Sequence, residues 1–415
     1  MRGLWLRTPG RFALLLALIV SLSMVVAACD EDEGEQLKLG YLADFSGPLA
    51  EFGPVIQTGV DLAIKHINDA GGVNGQDVVL VTGDTQVDPT QGVEEARRLI
   101  DVEGVHGIVG PLSSTVTLAV AESVAGPAGV PVISPSATSP ALSTASDDGY
   151  LFRSTTSDAA QGVILAQLAA DEGISNVGVI FRDDAYGQGL SDAFIAAFGG
   201  TATAASYSAG GQASYLAELQ QAAGGGGDVL VAIGFPDEAL VFIRESIEND
   251  IFTRFLFVDG TKSQDLIDGI GADFLNGSKG TAPGSGPETP SAMAWAEAYE
   301  AEYGELPTLP FVREAYDATI ALALAAESAG STVGADIRDH LPRIGAPGGS
   351  AFSPGPDGIE AALEAVRDGD DINYEGAATS LDWNDVGDVT SGYIEIWQYE
   401  GGEITSLREV PFSLE

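Results

Sequence analysis

Residues 107–138 read GIVGPLSSTVTLAVAESVAGPAGVPVISPSAT, and the way this stretch alternates decides the fold. An apolar strand, Val105 to Val109, runs into a turn carrying Ser113 and Ser114. An apolar helix and a second buried strand, Val130 to Ser134, follow and end in another hydroxyl-rich turn with Ser136 and Thr138. Strand, helix and strand at these lengths predict a right-handed βαβ unit in a parallel sheet. In such sheets the turns at the carboxyl ends of neighbouring strands share one crevice, and ligands bind there. Both turns also open helices, whose free N–H groups attract an anionic group such as a carboxylate. The stretch therefore predicts a crevice that holds a small polar molecule.

The same rhythm extends in both directions. Leu37 to Phe45 reads as the first strand, and Ile56, Val60, Ala63, Ile64 and Ile67 then recur at helical spacing until Gly71-Gly72-Val73-Asn74-Gly75 stops them. A strand at Asp77 to Gly83 and a helix at Thr90 to Asp101 complete the approach. Downstream, helix Ala159 to Asp171 precedes strand Val177 to Phe181, helix Gly189 to Phe198 and a strand near Thr203 to Tyr207. Helix Ala213 to Ala222, strand Val229 to Ile233, helix Glu238 to Glu248 and strand Phe255 to Val258 continue it. About four strands before residue 155 and about four after it predict two similar α/β, doubly wound lobes.

Past Gly280 the texture changes. Pro283 to Pro290 reads as a crossover, followed by helices Ser291 to Tyr303 and Val312 to Ala329. Arg338 to Pro356 is loop-rich, and Ile359 to Arg367 is a short helix. Thr379 to Trp383 and Gly392 to Tyr399 read as a strand pair around a turn at Asn384 to Asp388. This tail is too short for a third domain and is expected to return to the lobes through several hinge crossings. Lobe 1 would be 37–154 plus 283–392, and lobe 2 would be 155–282 plus 393–415.

The amino terminus is set apart. Arg2, Arg7 and Arg11 precede an apolar run from Phe12 to Ala28, and Val26-Ala27-Ala28 leads to Cys29, the single cysteine. This is the plan of a secretory signal over residues 1–28. The alternative is an anchor helix, but the 17 residues from Phe12 to Ala28 fall short of the ~20 that span a bilayer. Val-Ala-Ala-Cys also resembles the bacterial lipobox, which implies acylation of Cys29 and a lipid-anchored, extracytoplasmic protein. Residues 29–36 would be an acidic tether.

Composition removes several function classes. One cysteine allows no internal disulfide, and His66, His106 and His340 show no ligand spacing, so neither a metal nor any other cofactor is expected. The chain carries 18 basic and 61 acidic residues; without Arg2, Arg7 and Arg11 the mature balance is 15 against 61, or −46. Such a surface repels nucleic acid and anionic lipid. It suits a salt-adapted protein and a merely solubilising surface equally well. The Gly-x-Ser-x-Gly elbow and the phosphate loop are absent, which counts against an enzyme on a doubly wound fold. Tyr186-Gly187-Gln188-Gly189 lacks the third glycine of a dinucleotide turn. Asp382 to Gly387 imitates a calcium loop, but Val386 stands where an oxygen ligand is required.

Several segments together resemble the branched-chain amino acid (Leu/Ile/Val) binding-protein family, the type I periplasmic solute-binding components of ABC importers. They are Gly40 to Pro48 (GYLADFSGP), Ile67 to Gly75 (INDAGGVNG), Gly110 to Ser114 (GPLSS), Pro135 to Pro140 (PSATSP) and Asp184 to Gly189 (DAYGQG). The resemblance implies two Rossmann-like lobes joined by three crossings and closing over ligand. It implies that Ser114 gives its hydroxyl and helix-start N–H to a ligand carboxylate, with Leu112 and Ser113 lining the wall. Ser136, Ala137 and Thr138 would supply backbone and hydroxyl contacts to carboxylate and ammonium, and Asp259 would meet the α-ammonium. Phe52, Tyr186, Phe235 and Phe311 would pack the side-chain pocket, ordinary core being the other reading of the phenylalanines. The first-lobe disulfide of some relatives falls on Val87 and Ser113 and is absent. The implied partners are a small-molecule ligand, ABC permease subunits and the membrane through the lipid anchor, with the protein a monomer. Asp259 is one methylene shorter than the family's Glu, and Phe235 replaces a tyrosine. Amides, urea-like molecules and aromatic acids, or a sensing role, are the alternatives.

Overall fold

The computed structural model describes residues 1, 35–286 and 289–413. The signal and lipobox readings, with Cys29 and most of the acidic tether, lie outside them. From the end of that tether, Glu35 accepts a hydrogen bond from Thr332 Oγ1 (2.8 Å).

Strands β1 (Lys38–Ala43), β2 (Val79–Asp84), β3 (Gly107–Val109), β4 (Val132–Ser134) and β5 (Leu151–Arg153) form one parallel sheet in the order β2-β1-β3-β4-β5. The chain winds outward from β1 in both directions, so β1 and β3 flank the switch point where open sheets bind ligands. In β3 and β4, Ile108 lies opposite Val132 and Val109 opposite Ile133, which sets the two serine turns side by side. Both strands start two residues later than their apolar runs. Gly104 and Gly129 take left-handed conformations, and Val105 and Val130 donate their N–H groups back to Leu99 and Ala125. These bonds close the preceding helical turns, so the two valines are spent as helix stops.

Strands β6 (Asn176–Asp183), β7 (Thr201–Ser208), β8 (Val229–Ile233), β9 (Arg254–Phe257) and β10 (Lys279–Gly284) form the parallel part of a second sheet. Its seven-stranded order is β14-β13-β10-β9-β8-β6-β7, with β13 (Ser391–Glu400) and β14 (Glu403–Ser413) antiparallel at the edge. Two doubly wound lobes are thus present, each with helices on its sheet. Both sheets exceed the count read from periodicity, by β5 and by the strands after residue 278. β10 runs into the predicted crossover because Pro283 and Gly284 still pair with β13.

The tail returns to the first sheet. Helix Val312–Ala329 is buried along most of its length and lies against helix Phe52–Asp69 so closely that a Cβ at Gly59 would stand 2.1 Å from the Val312 carbonyl. The loop-rich stretch contains helix Gly334–Ile344, whose apolar residues Ile337, Leu341 and Ile344 are buried. Ser350–Phe352 (β11) and Ile372–Tyr374 (β12) form a small parallel pair. The closing hairpin also differs from expectation. Thr379 to Trp383 makes only an isolated bridge between Trp383 and Val389, and β13 pairs instead with β14. Gly401 and Gly402 both have positive φ (65° and 90°), the conformation a tight two-residue hairpin turn demands.

Candidate functional site

The first serine turn is fixed from within. Ser113 caps helix Ser114–Val120, its Oγ accepting from the Val116 N–H at 3.4 Å. The second turn is tied to the first: the Ser134 hydroxyl donates to the Pro111 carbonyl (2.6 Å) and the Ser136 hydroxyl to the Leu112 carbonyl (2.9 Å). Ser114 Oγ accepts from the Ser139 N–H (3.2 Å). Arg153, 1% exposed, completes the bracing by donating to the carbonyls of Thr138 and Ser139 (both 3.0 Å). Its guanidinium is held by Asp388 (2.7 Å).

The facing lobe contributes three elements. β6 ends at Asp183, and Asp184 caps helix Ala185–Ala197 by accepting from the Gly187 N–H (3.0 Å). This explains the incomplete glycine motif in packing terms. A Cβ at Gly187 would meet the Arg182 carbonyl at 2.1 Å, and one at Gly189 would meet Pro140 of the other lobe at 2.8 Å. Beside it, the Ser139 hydroxyl donates to the Ala185 carbonyl (2.7 Å) and the Ala185 N–H donates to Thr115 Oγ1 (3.1 Å), joining the two lobes. After β8, Phe235 stacks on Tyr186 (centroids 5.4 Å apart, planes 6° apart) and has the Arg182 guanidinium over its ring, 4.7 Å from the centroid. Arg182 is itself paired with Asp184 and Glu238.

After β9 comes Asp259. Its Oδ1 accepts from Gln161 Nε2 (2.7 Å) and from the Tyr186 hydroxyl (2.9 Å). The Gly260 N–H donates to the same tyrosine oxygen (3.3 Å). Burial pushes the Asp259 carboxyl up to about 6 in spite of these bonds. Asp158, fully buried near it, is pushed well above the carboxylate range by burial and then by the charge of Asp259. Its Oδ2 accepts from Thr138 Oγ1 (3.0 Å), whereas Oδ1 has no hydrogen-bond partner among the described residues.

These pieces surround one cavity that its own side chains nearly fill, leaving about 20 Å³, space for about one water molecule. Leu112, Ser113, Ser114 and Ser136 line it from the serine turns, and Tyr186, Phe235 and Asp259 from the second lobe. Phe52 and Phe311 close the apolar end. Ala137 and Thr138 do not reach the lining: Thr138 is fully buried behind it with its hydroxyl on Asp158. Leu49, Ile56 and Gly260 also line it and were not singled out from the sequence. Ile56 carries a helical core pattern, which is silent about which core residue faces a cavity. Chemically, the arrangement offers hydroxyl and backbone groups at one end, a carboxylate beside them and an aromatic wall opposite.

The family described as periplasmic binding protein matches residues 36–358. The Leu/Ile/Val-binding protein homolog 3 of Brucella melitensis is 28% identical over 394 residues, covering 90% of this chain and 94% of that protein. The chemotactic signal transduction system substrate-binding protein BasB of Halobacterium salinarum is 27% identical over 369 residues, 87% of this chain and 86% of that protein. Among solved structures, the leucine-binding protein LivK of Thermotoga maritima has a similar fold, with TM-score 0.74 and 24% identity over 90% of this chain and 98% of that one.

Proposed function

The chain belongs to the periplasmic binding protein family, whose members bind solutes rather than transform them, and from that premise we propose that its cavity captures an α-amino acid of branched-chain type for an ABC importer. One observation carries the reading: a buried carboxylate, Asp259, and two hydroxyl-rich turns converge on one small cavity whose remaining wall is apolar. A zwitterionic head needs both an anion and hydrogen-bond donors in one place, and a branched aliphatic side chain needs the wall. Leu112, Ser113, Ser114 and Ser136 take the carboxylate end, Asp259 the ammonium, and Phe52, Phe235 and Phe311 the side chain. Ala137 and Thr138 act from behind the lining, by holding the second turn. Closure of lobes 37–154 plus 283–392 and 155–282 plus 393–415 dehydrates the ligand and strengthens its hydrogen bonds, and the closed form docks on a permease.

A thermal-shift screen of amino acids, amides and small acids at high salt tests this, because a ligand stabilises the state it binds by mass action. Leucine, isoleucine and valine are expected to raise Tm. A shift from amides or aromatic acids with none from these three overturns the assignment. A second reading, a receptor feeding a signalling partner, draws on the chemotactic role named for the Halobacterium salinarum relative. Ligand-dependent uptake into cells separates the two. Lipid anchoring at Cys29 belongs to the same reading, and Cys29→Ser is expected to release the protein from membranes.

A further inference from the structure

Beside the ligand cavity, where the chain crosses from β10 towards helix Val312–Ala329, lies a second, larger chamber of about 220 Å³, half open to solvent. Among the described residues, Phe311 alone lines both spaces. Its backbone stands at φ 78°, ψ −2°, a left-handed conformation that a bulky L-residue rarely adopts, and its side chain is 4% exposed. Held strain of this kind points to a job at that position, and a glycine would adopt the same backbone without cost.

The two spaces differ in chemistry. The ligand cavity has apolar lining beside Phe311, with Leu49, Phe52 and Ile56. The chamber is charged, with Glu314, Glu395 and Glu409 against Lys262 and Arg313. Lys262 is taken by Glu395 (2.5 Å). Arg313 lies over the Trp295 ring at 4.6 Å and donates to the Ala292 carbonyl. Glu409 accepts from the backbone N–H groups of Gly286 and Ser285, and Glu314, 4% exposed, has no cation within ion-pair distance among the described residues. By carboxyl count the excess is one, Glu314, which burial keeps protonated up to about pH 8, so a cation arriving there takes the place of that proton.

We propose that Phe311 is the length limit of the ligand cavity: its ring walls off a hinge chamber that is built to take the cationic end of a longer α-amino acid. This rests on the amino-acid reading of the cavity. Specificity in this form is exclusion, a wall set against the longer ligand and leaving the shorter one untouched.

Calorimetric titration of wild type, Phe311→Gly, Phe311→Ala and Phe311→Leu with leucine, arginine and glutamate tests it. In wild type leucine is expected to bind and arginine to bind at least a hundredfold more weakly. Phe311→Gly and Phe311→Ala are expected to improve arginine relative to leucine by tenfold or more, Phe311→Leu to leave the ratio unchanged, and Phe311→Gly with Glu314→Gln to lose the gain. An unchanged ratio in both small-residue variants overturns the length limit, and a gain for glutamate in place of arginine overturns the cationic assignment. Absence of leucine binding by wild type strikes instead at the amino-acid reading on which this one rests.

Discussion

The Tyr186 hydroxyl donates to Oδ1 of Asp259 at 2.9 Å, and this bond ties the polar end of the cavity to its aromatic wall. The same ring stacks on Phe235, which is backed by Arg182, so the wall and the carboxylate are positioned by one connected set of contacts. A side chain that orients an acid while also shaping the apolar surface leaves little freedom in where a ligand's amine and its side chain lie relative to each other.

Asp259→Asn is expected to weaken α-amino ligands by about 1.5 to 3 kcal/mol, the usual range for a charge-assisted bond. Carboxylic acids of the same shape without the amine are expected to lose much less. Calorimetry on leucine and 4-methylpentanoic acid reads the difference, and equal losses would remove the ammonium role from Asp259.

Affinity for amino acids is expected to fall as pH drops. Burial holds Asp259 up to about 6 in the unliganded site and pushes Asp158 well above the carboxylate range. An ammonium binds the ionised carboxylate, so below pH ~6 binding must displace a proton, and Kd is expected to rise about tenfold per unit of pH. Above that range the dependence vanishes. Titrations at pH 5 in buffers of different ionisation heat are expected to show proton release of up to one equivalent, and a flat Kd from pH 5 to pH 8 contradicts this account.

The two turns that form the carboxylate end were readable in the sequence because their cause is local. A βαβ repeat fixes where the turns of β3 and β4 fall, and serines at those turns have few other places to face. The pairing of Asp259 with Tyr186 was not readable, since it joins residues from two separate strand-to-helix connections; the family resemblance brought in each residue separately, one for the ammonium and one for the side-chain pocket, without the bond between them. Arg153 and Asp158 escaped altogether. Nothing in a strand ending LFR says that its arginine will gather the Thr138 and Ser139 carbonyls, or that Asp388, 235 residues on, will hold it. The closing hairpin was misread for a different reason: the Asn384 turn is real, with Asn384 Oδ1 accepting from Val386 and Asp388 N–H groups, but the Gly401-Gly402 turn makes the longer ladder.

Arg153→Met is expected to cost about 3 to 5 kcal/mol of stability, because it leaves Asp388 buried without its cation. It also frees the Thr138 turn, so ligand affinity is expected to fall with it. The double variant Arg153→Met with Asp388→Asn removes the stranded charge and is expected to recover stability while the affinity loss remains. Recovery of both together would mean that Arg153 supports the fold alone and does not position the turn.

Glu314 gives a stability prediction with a definite sign. Burial raises its carboxyl from 4.5 to about 8, so the folded protein keeps a proton that the unfolded chain releases. Its contribution is full below pH ~4.5 and is lost as pH rises towards 8, amounting to a few kcal/mol across that window. Glu314→Gln carries no such proton and is expected to gain on wild type steadily from pH 5 to pH 8. Tm of the two proteins, measured at both pH values in the same salt, reads this gain directly. A difference in Tm that stays constant between pH 5 and pH 8 would place the Glu314 carboxyl in water.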